Sequence, residues 1–359
     1  MDSDESYQVL LATTADRRMS TLRLDSDFTL MSSDSGLQDS PILSHATIGD
    51  GIPFSIFAGM SGSVIVYDHR TATIIEELRD HKKYVVKVAV CGAGRYLATA
   101  AWDGKIFLYA LHLDNNSHKP LLGAPLAFLT LPTNPETIIS VKDRSGTKDL
   151  LMVTRHDSTS LYFYDFPTAD EPGPRPHEIR LLGSQNLAPY SNAWISFSPS
   201  AVAICPTDPT LLAVATSSIP HMKLIIVRLL VPNVKEPHVR SPEPATQTAQ
   251  ARNNLAIQDR EDAAILISVS TLAPQTPYST PQICWRPDGS GVWVNGDDGI
   301  IRGIEAKSGK VVATLKDGHE AGSKIRTIWA GMVNIEGGKE EWVVSGGFDK
   351  RLLVWKPRE

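Results

Sequence analysis

The residues that come nearest to a known chemistry in this sequence are those of a phosphate loop, the glycine-rich turn that binds nucleotide phosphates. Gly303, Gly309 and Lys310 are of the right types, but the glycines are one residue too far apart, and Val311 stands where Ser or Thr is needed. The segment also joins two predicted strands, so no helix N-terminus is available to hold phosphate. We therefore expect no nucleotide site here.

Other candidate catalytic groups also have a structural explanation. Gly59–Gly62 resembles a nucleophile elbow but has the wrong spacing. Asp297 and Asp298 could form a general acid and base, yet they lie in a turn that recurs along the chain, where one structural Asp with an exposed neighbour is expected. The sequence contains no metal-binding His-Glu-x-x-His motif and no Cys/His cluster. It predicts a protein that is not an enzyme and uses no metal or cofactor.

Composition and charge are those of an ordinary globular chain. The 359 residues are 42% hydrophobic and 21% charged, and the formal net charge of -5 argues against nucleic acid as a partner. The three cysteines are far apart in sequence, which favours a reducing compartment. The acidic N-terminus lacks the apolar run of a signal peptide, and the most apolar segment, Leu224–Val231, is too short to cross a bilayer. We expect an intracellular protein of nucleus or cytoplasm, neither secreted nor membrane-bound.

Three segments of the chain repeat one another. They span residues 88–100, 202–216 and 282–296. Each is a short apolar strand, a turn rich in Gly, Pro or Asp, and a second apolar strand, with one of the cysteines at the same place. The cysteines Cys91, Cys205 and Cys284 are then small buried side chains of inner strands.

A third strand follows the repeated unit after a small polar turn. A large apolar residue stands six positions after the turn residue in four places; the pairs are Asp103 and Tyr109, Asp349 and Trp355, Asp298 and Ile304, and Ser61 and Tyr67. The residues between them alternate as in a strand. The ends of the third strands give seven markers, which are Leu24, Tyr67, Tyr109, Tyr164, Val227, Ile304 and Trp355. No segment has a convincing amphipathic-helix pattern, so the sequence predicts an all-β fold of seven repeated sheets.

Polar, proline-rich segments lengthen three of the repeats. They are residues 115–125, 167–192 and 232–262. We predict that about 232–262 is a flexible insertion within a single domain that spans residues 1–359. Ser241-Pro242 lies in it, and phosphorylation there would add negative charge to a loop.

The repeats resemble those of the WD-repeat family. That family has a His before the first strand, an Asp in the turn before the third, and a Trp-Asp pair at its end. The matching residues are His81, Asp103 and Tyr109 in one repeat and His319, Asp349 and Trp355 in another. No repeat here ends in Trp-Asp, but the resemblance covers nearly the whole chain. It implies a seven-bladed β-propeller of four-stranded antiparallel blades with irregular loop insertions, and hydrogen-bonded sets among these six residues.

The resemblance also implies that an N-terminal strand closes the ring by supplying the outermost strand of the last repeat. Tyr7–Leu11 is available for that position. The same segment also fits as the second strand of the first repeat, so both assignments stay open. Either one would remove exposed strand edges.

The function that the resemblance implies is a non-enzymatic scaffold for protein–protein interactions within a larger complex. In the family, the residue before the turn Asp lies on one face of the ring, where proteins or peptides dock. The residues at that position are Trp102, His156, Asp297 and Phe348, with Met60 at a degenerate site. Trp102 and Phe348 would be the strongest anchors. Tyr84 and Lys324 are further candidates for partner binding.

Three other functions are open. Tyr67–Arg70 resembles the Trp-Asp-x-Arg motif by which cullin-RING ubiquitin-ligase substrate receptors contact their adaptor, with Arg70 as the contact. Arg17-Arg18 is a weak match to the paired arginines of phosphoinositide-binding propellers, because it lies in the wrong repeat. Lys82-Lys83 and Lys324 with Arg326 could face nucleic acid, although without a basic excess an acidic peptide suits them better.

Overall fold

A computed structural model describes residues 8–25, 28–36, 39–48, 54–113, 120–167, 176–191, 197–233, 246–335 and 338–357. Its strands form seven sheets in chain order, most of them four-stranded and antiparallel, together with one small hairpin. The prediction of an all-β, seven-bladed β-propeller is confirmed. We number the sheets blade 1 to blade 7.

The first four blades occupy the N-terminal half of the chain. Blade 1 contains β1 (Val9–Thr13), β2 (Arg18–Arg23) and β3 (Leu30–Ser35). Blade 2 contains β4 (Ile42–Thr47), β5 (Phe54–Gly59), β6 (Val64–Asp68) and β7 (Thr73–Leu78). Blade 3 contains β8 (Val85–Cys91), β9 (Tyr96–Ala101), β10 (Lys105–Ala110) and β13 (Ala127–Thr130). Between β10 and β13 the chain forms the separate hairpin of β11 (His112–Leu113) and β12 (Pro120–Leu121). Blade 4 contains β14 (Pro135–Lys142), β15 (Asp149–Arg155), β16 (Ser160–Asp165) and β18 (Leu181–Asn186). Between β16 and β18, the short β17 (His177–Glu178) pairs in parallel with β13 of blade 3.

The remaining three blades complete the ring. Blade 5 contains β19 (Pro199–Ile204), β20 (Leu211–Thr216), β21 (His221–Arg228) and, after a helix α1 (Gln247–Ala264), β22 (Ile265–Pro274). Blade 6 contains β23 (Ile283–Trp285), β24 (Gly291–Val294), β25 (Ile301–Glu305) and β26 (Val311–Leu315). Blade 7 contains β27 (Ile325–Ile335), β28 (Gly338–Gly347) and β29 (Leu352–Trp355).

The core lies between the blades as seven apolar clusters, one for each pair of neighbours. This follows from the strand pattern, because alternate side chains of a radial sheet face opposite neighbours. The two clusters beside blade 1 are small: Met19 packs on Phe57 and Tyr67 of blade 2, and Leu24 packs on Val333 and Trp342 of blade 7. The ring therefore closes by side-chain packing on both faces of blade 1, and among the described residues these two clusters are the smallest of the seven.

The first strands of blades 2 to 7 line the axis of the ring. Contacts run in succession from β4 to β8, β14, β19, β23 and β27. Within the described residues, blade 1 has only the strands that correspond to the second, third and fourth of the other blades, and blade 7 has only its first three. Val9–Leu11 thus belongs to the second strand of blade 1, while Tyr7 lies outside the described residues.

The second half of the insertion predicted over 232–262 contains a helix. Residues 247–264 form α1, which begins at Thr246, whose side chain accepts a hydrogen bond from the Ala249 N–H at 3.2 Å. The helix is held near its C-terminal end, where the Glu261 carboxylate accepts a bond from the Asn186 N–H at 2.8 Å. Only Glu261 and Ala264 are buried in it, so it lacks the apolar stripe that would have revealed it in the sequence. Ser241-Pro242 lies outside the described residues.

Among the described residues, no helix combines the length and apolar character that a membrane span requires.

Candidate functional site

One hydrogen bond recurs in five blades and places equivalent residues on one face of the ring. In each case the N–H of the residue after the second strand donates to the carbonyl just before the first strand. The pairs are Met60 to Pro41 (3.1 Å), Trp102 to Tyr84 (3.0 Å), His156 to Asn134 (2.8 Å), Ser217 to Ser198 (3.0 Å) and Phe348 to Lys324 (3.0 Å). We call this side of the ring, formed by the loops before the first strands and the turns after the second strands, the top face.

An open aromatic pair occupies the top face of blade 3. The rings of Trp102 and Tyr84 lie 5.5 Å apart at an interplanar angle of 33°. Both remain exposed, Trp102 at 46% and Tyr84 at 39% of full accessibility, so neither side chain is used to fill the contact with a neighbouring blade. The exposed Lys82 and Lys83 precede the pair, so cationic groups lie beside it.

A second aromatic group stands on the top face of blade 7. Phe348 is 61% exposed, and the Arg326 guanidinium lies 4.9 Å from the centre of its ring. Blades 3 and 7 are separated by blades 1 and 2, so the two aromatic groups stand at different places around the ring.

The charged candidates of the top face are engaged with neighbouring side chains. His156 Nδ1 lies 3.0 Å from Glu136, whose pKa is raised by burial against the effect of this contact. Asp297 does not share the recurring hydrogen bond: its N–H donates to the Pro274 carbonyl of blade 5 at 3.2 Å. Its carboxylate is paired with the Lys324 ammonium at 3.0 Å. These groups are less available to a partner than the aromatic ones.

Arg70 lies at the opposite end of its blade, in the turn between the third and fourth strands. Its Nε and Nη2 each donate to the Asp68 carboxylate at 3.2 Å, and these bonds lower the pKa of that buried acid. The guanidinium also lies 4.9 Å from the centre of the Phe54 ring. Arg70 therefore helps to fix its own turn while half of its side chain remains exposed.

The first hydrogen-bonded set expected from the resemblance lies in blade 3. His81 Nδ1 lies 3.2 Å from Asp103, and its Nε2 lies 2.8 Å from the Thr99 hydroxyl. Burial opposes ionisation of Asp103, but the bonds from His81 and from the Lys82 N–H outweigh it and hold its pKa below the ordinary value. The Tyr109 hydroxyl donates to Asp80 at 2.9 Å.

The second set, in blade 7, forms a continuous chain of four side chains. His319 Nδ1 lies 2.9 Å from Asp349, its Nε2 lies 2.9 Å from the Ser345 hydroxyl, and Trp355 Nε1 donates to the same hydroxyl at 2.9 Å. Burial opposes ionisation of Asp349, but bonds from the Glu320 N–H and from His319 lower its pKa. Sequence reasoning missed Thr99 and Ser345, although both lie four residues before the turn Asp of their repeats.

Ser345, His319 and Asp349 are also the residue types of a hydrolase triad, but their placement does not suit that chemistry. The Ser345 hydroxyl is fully buried and already accepts the Trp355 N–H, so no substrate carbonyl can reach it. The set fixes the loop before the first strand to the turn before the third strand.

The family comparison agrees with this architecture. Residues 2–356 match the family described as UCP007778, beta-propeller domain. The chain belongs to this β-propeller family. Comparison with curated proteins gave no match.

The remaining candidates of this β-propeller carry no reactive geometry. Burial raises the pKa of Cys91 and Cys284 to about 12, so both thiols stay protonated near neutral pH. Arg18 is paired with Asp16 at 3.2 Å on the surface of blade 1. No group of His, Cys, Asp or Glu side chains suited to a metal ion comes together in the part of the chain that the structure describes.

Proposed function

We propose that this β-propeller is a non-enzymatic scaffold of WD-repeat type that binds protein partners on its top face, as one subunit of a larger complex. The observation that carries the proposal is the pair of exposed aromatic groups, Trp102 with Tyr84 and Phe348, each on a turn tied to the framework by a backbone hydrogen bond. Exposed aromatic side chains bury a large apolar area in an interface and lose little conformational entropy when they do so.

The two histidine sets support both the WD-repeat assignment and the scaffold function. Asp103 accepts the Lys82 N–H at 3.0 Å, and Asp349 accepts the Glu320 N–H at 3.0 Å, so each set holds a top-face loop against the turn that carries the aromatic anchor. A surface whose loops are already ordered loses less entropy when a partner binds. Rigid loops on a ring are suited to docking.

The partner chemistry that suits this face is a protein segment with apolar anchors and some negative charge. Lys82 and Lys83 are exposed beside the Trp102 pair, and Arg326 lies over Phe348. The carboxylates of Asp80 and Asp103 are engaged within the blade, where Asp80 accepts a bond from Tyr109 and Asp103 contacts His81.

The proposal is tested by affinity purification with quantitative mass spectrometry. We expect Trp102→Ala and Phe348→Ala to deplete stoichiometric partners at least tenfold, because each removes a large apolar contact. The matched control is Val312→Ala, a residue of the outer strand β26 that is 61% exposed, as Phe348 is. Full retention of every stoichiometric partner by the double variant Trp102→Ala/Phe348→Ala, with an unchanged melting temperature, would refute the proposal.

A further inference from the structure

The succession of inner strands is interrupted at blade 1. Each inner strand from β4 to β27 contacts the next one, but β27 and β4 are not joined by such a set of contacts. Blade 1 stands between them, and none of its described strands occupies the inner position. The space bounded by β27, β4 and the inner edge of β1 is here called the slot.

The inner edge of β1 offers free backbone groups in the register of a strand. The Leu24 N–H donates to the Gln8 carbonyl at 2.9 Å, and the Thr14 N–H donates to the Arg18 carbonyl at 3.0 Å. Because β1 and β2 pair residue by residue, the backbone groups of alternate residues point away from β2. The outward groups belong to Val9, Leu11 and Thr13, and no described residue pairs with them. Such an edge is a template for one further strand.

The β4 wall of the slot carries polar side chains where the other blades carry apolar ones. His45 is three residues into its inner strand, the position occupied by Val88, Ile138 and Ile328, which are 3%, 0% and 9% exposed. Those residues pack on the preceding blade, whereas His45 and, two residues later, Thr47 are exposed. The ring of His45 stacks on Phe57, which faces blade 1, so His45 faces the same way.

The β27 wall carries an exposed aromatic side chain. Trp329 is 37% exposed, and its indole covers Gly331 so closely that a Cβ at that glycine would clash with the ring. Two and four residues beyond Gly331, Val333 and Ile335 pack towards blade 1, which places Trp329 on the same side of the strand. Trp329 thus supplies an apolar surface to the slot.

At the end of β27 away from the top face, a side-chain amide from blade 1 makes the hydrogen bonds that a neighbouring strand would make. The Gln8 side-chain amide donates to the Met332 carbonyl at 3.2 Å and accepts the Asn334 N–H at 2.9 Å. One amide side chain therefore satisfies two edge groups of β27 where blade 1 meets it. Nearer the top face, beside Trp329, no described side chain takes that place.

The charge near the β4 wall is positive. Lys87 of the adjacent inner strand acts on His45, and no carboxylate among the described residues forms an ion pair with Lys87. The negative charge of Asp34, the acid on this side of blade 1, favours the protonated forms of Tyr67 and His69, whose pKa values it raises. Lys87 pairs with Ala100, which packs towards blade 4, so its side chain lies on the far side of β8 and its charge acts on the slot only at longer range. An incoming strand with carboxylates on the side that faces β4 would accept a hydrogen bond from the His45 imidazole and would be favoured by this positive charge.

We propose that the slot receives an extended segment of a partner protein, which pairs with β1, turns acidic or polar side chains towards His45, and turns apolar side chains towards Trp329. Strand addition of this kind takes affinity from the backbone hydrogen bonds and specificity from the alternating side chains. The site is separate from the aromatic anchors of the top face, so its occupancy does not depend on Trp102 or Phe348.

The test measures amide hydrogen exchange at Val9, Leu11 and Thr13 in the full-length protein. In the isolated protein we expect these three amides to exchange much faster than those of Leu10 and Ala12, which point towards β2. A ten-residue peptide with alternating Asp and Leu, tethered by a flexible linker so that its local concentration is high, should slow them at least tenfold. The control tethers carry the same peptide with two central prolines, or with Lys in place of Asp.

Each outcome decides the proposal. Protection by the acidic strand that is lost with the proline tether, weaker with the Lys tether, and reduced in Trp329→Ala supports it; Trp102→Ala should leave this protection unchanged. Slow exchange of the three amides in the isolated protein would mean that the chain fills the slot itself, and would overturn the proposal. The proposal would also be overturned if none of the tethered peptides slowed exchange. Equal protection by the Asp and Lys tethers would contradict the preference for acidic side chains.

Discussion

The hydroxyl of Ser345 connects the other side chains of the hydrogen-bonded set in blade 7. It joins His319 Nε2 and Trp355 Nε1, each at 2.9 Å. The directions follow from the groups: an ionised Asp349 only accepts, so the imidazole N–H is at Nδ1, and an indole N–H only donates. The Ser345 hydroxyl therefore accepts from Trp355 and also makes a hydrogen bond with Nε2 of His319. Ser345→Ala removes both bonds and changes no charge.

The expected cost follows from the burial of the two groups that lose a partner. The His319 side chain is fully buried, so Nε2 is left without a partner and without water, which costs about 1–3 kcal/mol. Trp355 is half-buried, so water can replace part of its lost bond, and its share is smaller. We expect Ser345→Ala to lower the free energy of unfolding by about 2–3 kcal/mol, with a fall in melting temperature on the order of 5 °C for a chain of this size.

The assay is thermal unfolding of the full-length protein, followed by circular dichroism, with Ser345→Thr as the matched control. Thr99 holds the corresponding position in blade 3 and makes the corresponding contact to His81, so a threonine hydroxyl can serve there. We expect Ser345→Thr to melt close to the unsubstituted protein. A Ser345→Ala protein that melts within 1 °C of it, or a Ser345→Thr protein that loses as much stability as Ser345→Ala, would show that the hydrogen bonds do not support blade 7 as argued.

Two further predictions concern the contacts of blade 1. Among the described residues each of its clusters contains three buried side chains, so native-state hydrogen exchange should be faster in β2 than in β15. Met19→Ala should accelerate exchange in β2 alone, and uniform exchange over all blades would contradict this. Burial lowers the pKa of the half-buried His69 from the ordinary 6.5, so the unfolded chain binds more protons as the pH falls through that value. The urea midpoint should therefore fall between pH 7.5 and pH 5.5, and should fall less in His69→Gln; an equal fall in that variant would contradict the lowered pKa of His69.

The ring of seven blades could be predicted because each blade repeats the same local signal. All seven markers lie in a third strand or, for Leu24, directly after one, and the turn Asp residues 103 and 349 lie where the repeat placed them. Local alternation and turn residues are sequence properties, so insertions between repeats do not erase them.

Other features could not be predicted because they depend on contacts between distant segments. Helix α1 has no apolar stripe, so periodicity gives no sign of it; its cap at Thr246 and its freedom from Gly and Pro were the available signals. The pairing of Lys324 with Asp297 joins two blades and cannot be seen within either repeat. The same holds for the Gln8 amide, which meets β27 from the other end of the chain.

The two proposed surfaces differ in the way the fold prepares them. On the top face, buried sets such as His319 with Asp349 fix the loops, so a partner meets an ordered surface and the anchors can be aromatic side chains. At blade 1 the contacts are thin, and the free groups of Val9, Leu11 and Thr13 are backbone groups, so an incoming strand would gain affinity by completing a sheet. A partner at either surface should raise the melting temperature, because it binds only the folded ring, but only occupancy of the slot should slow exchange in β2, because it covers blade 1.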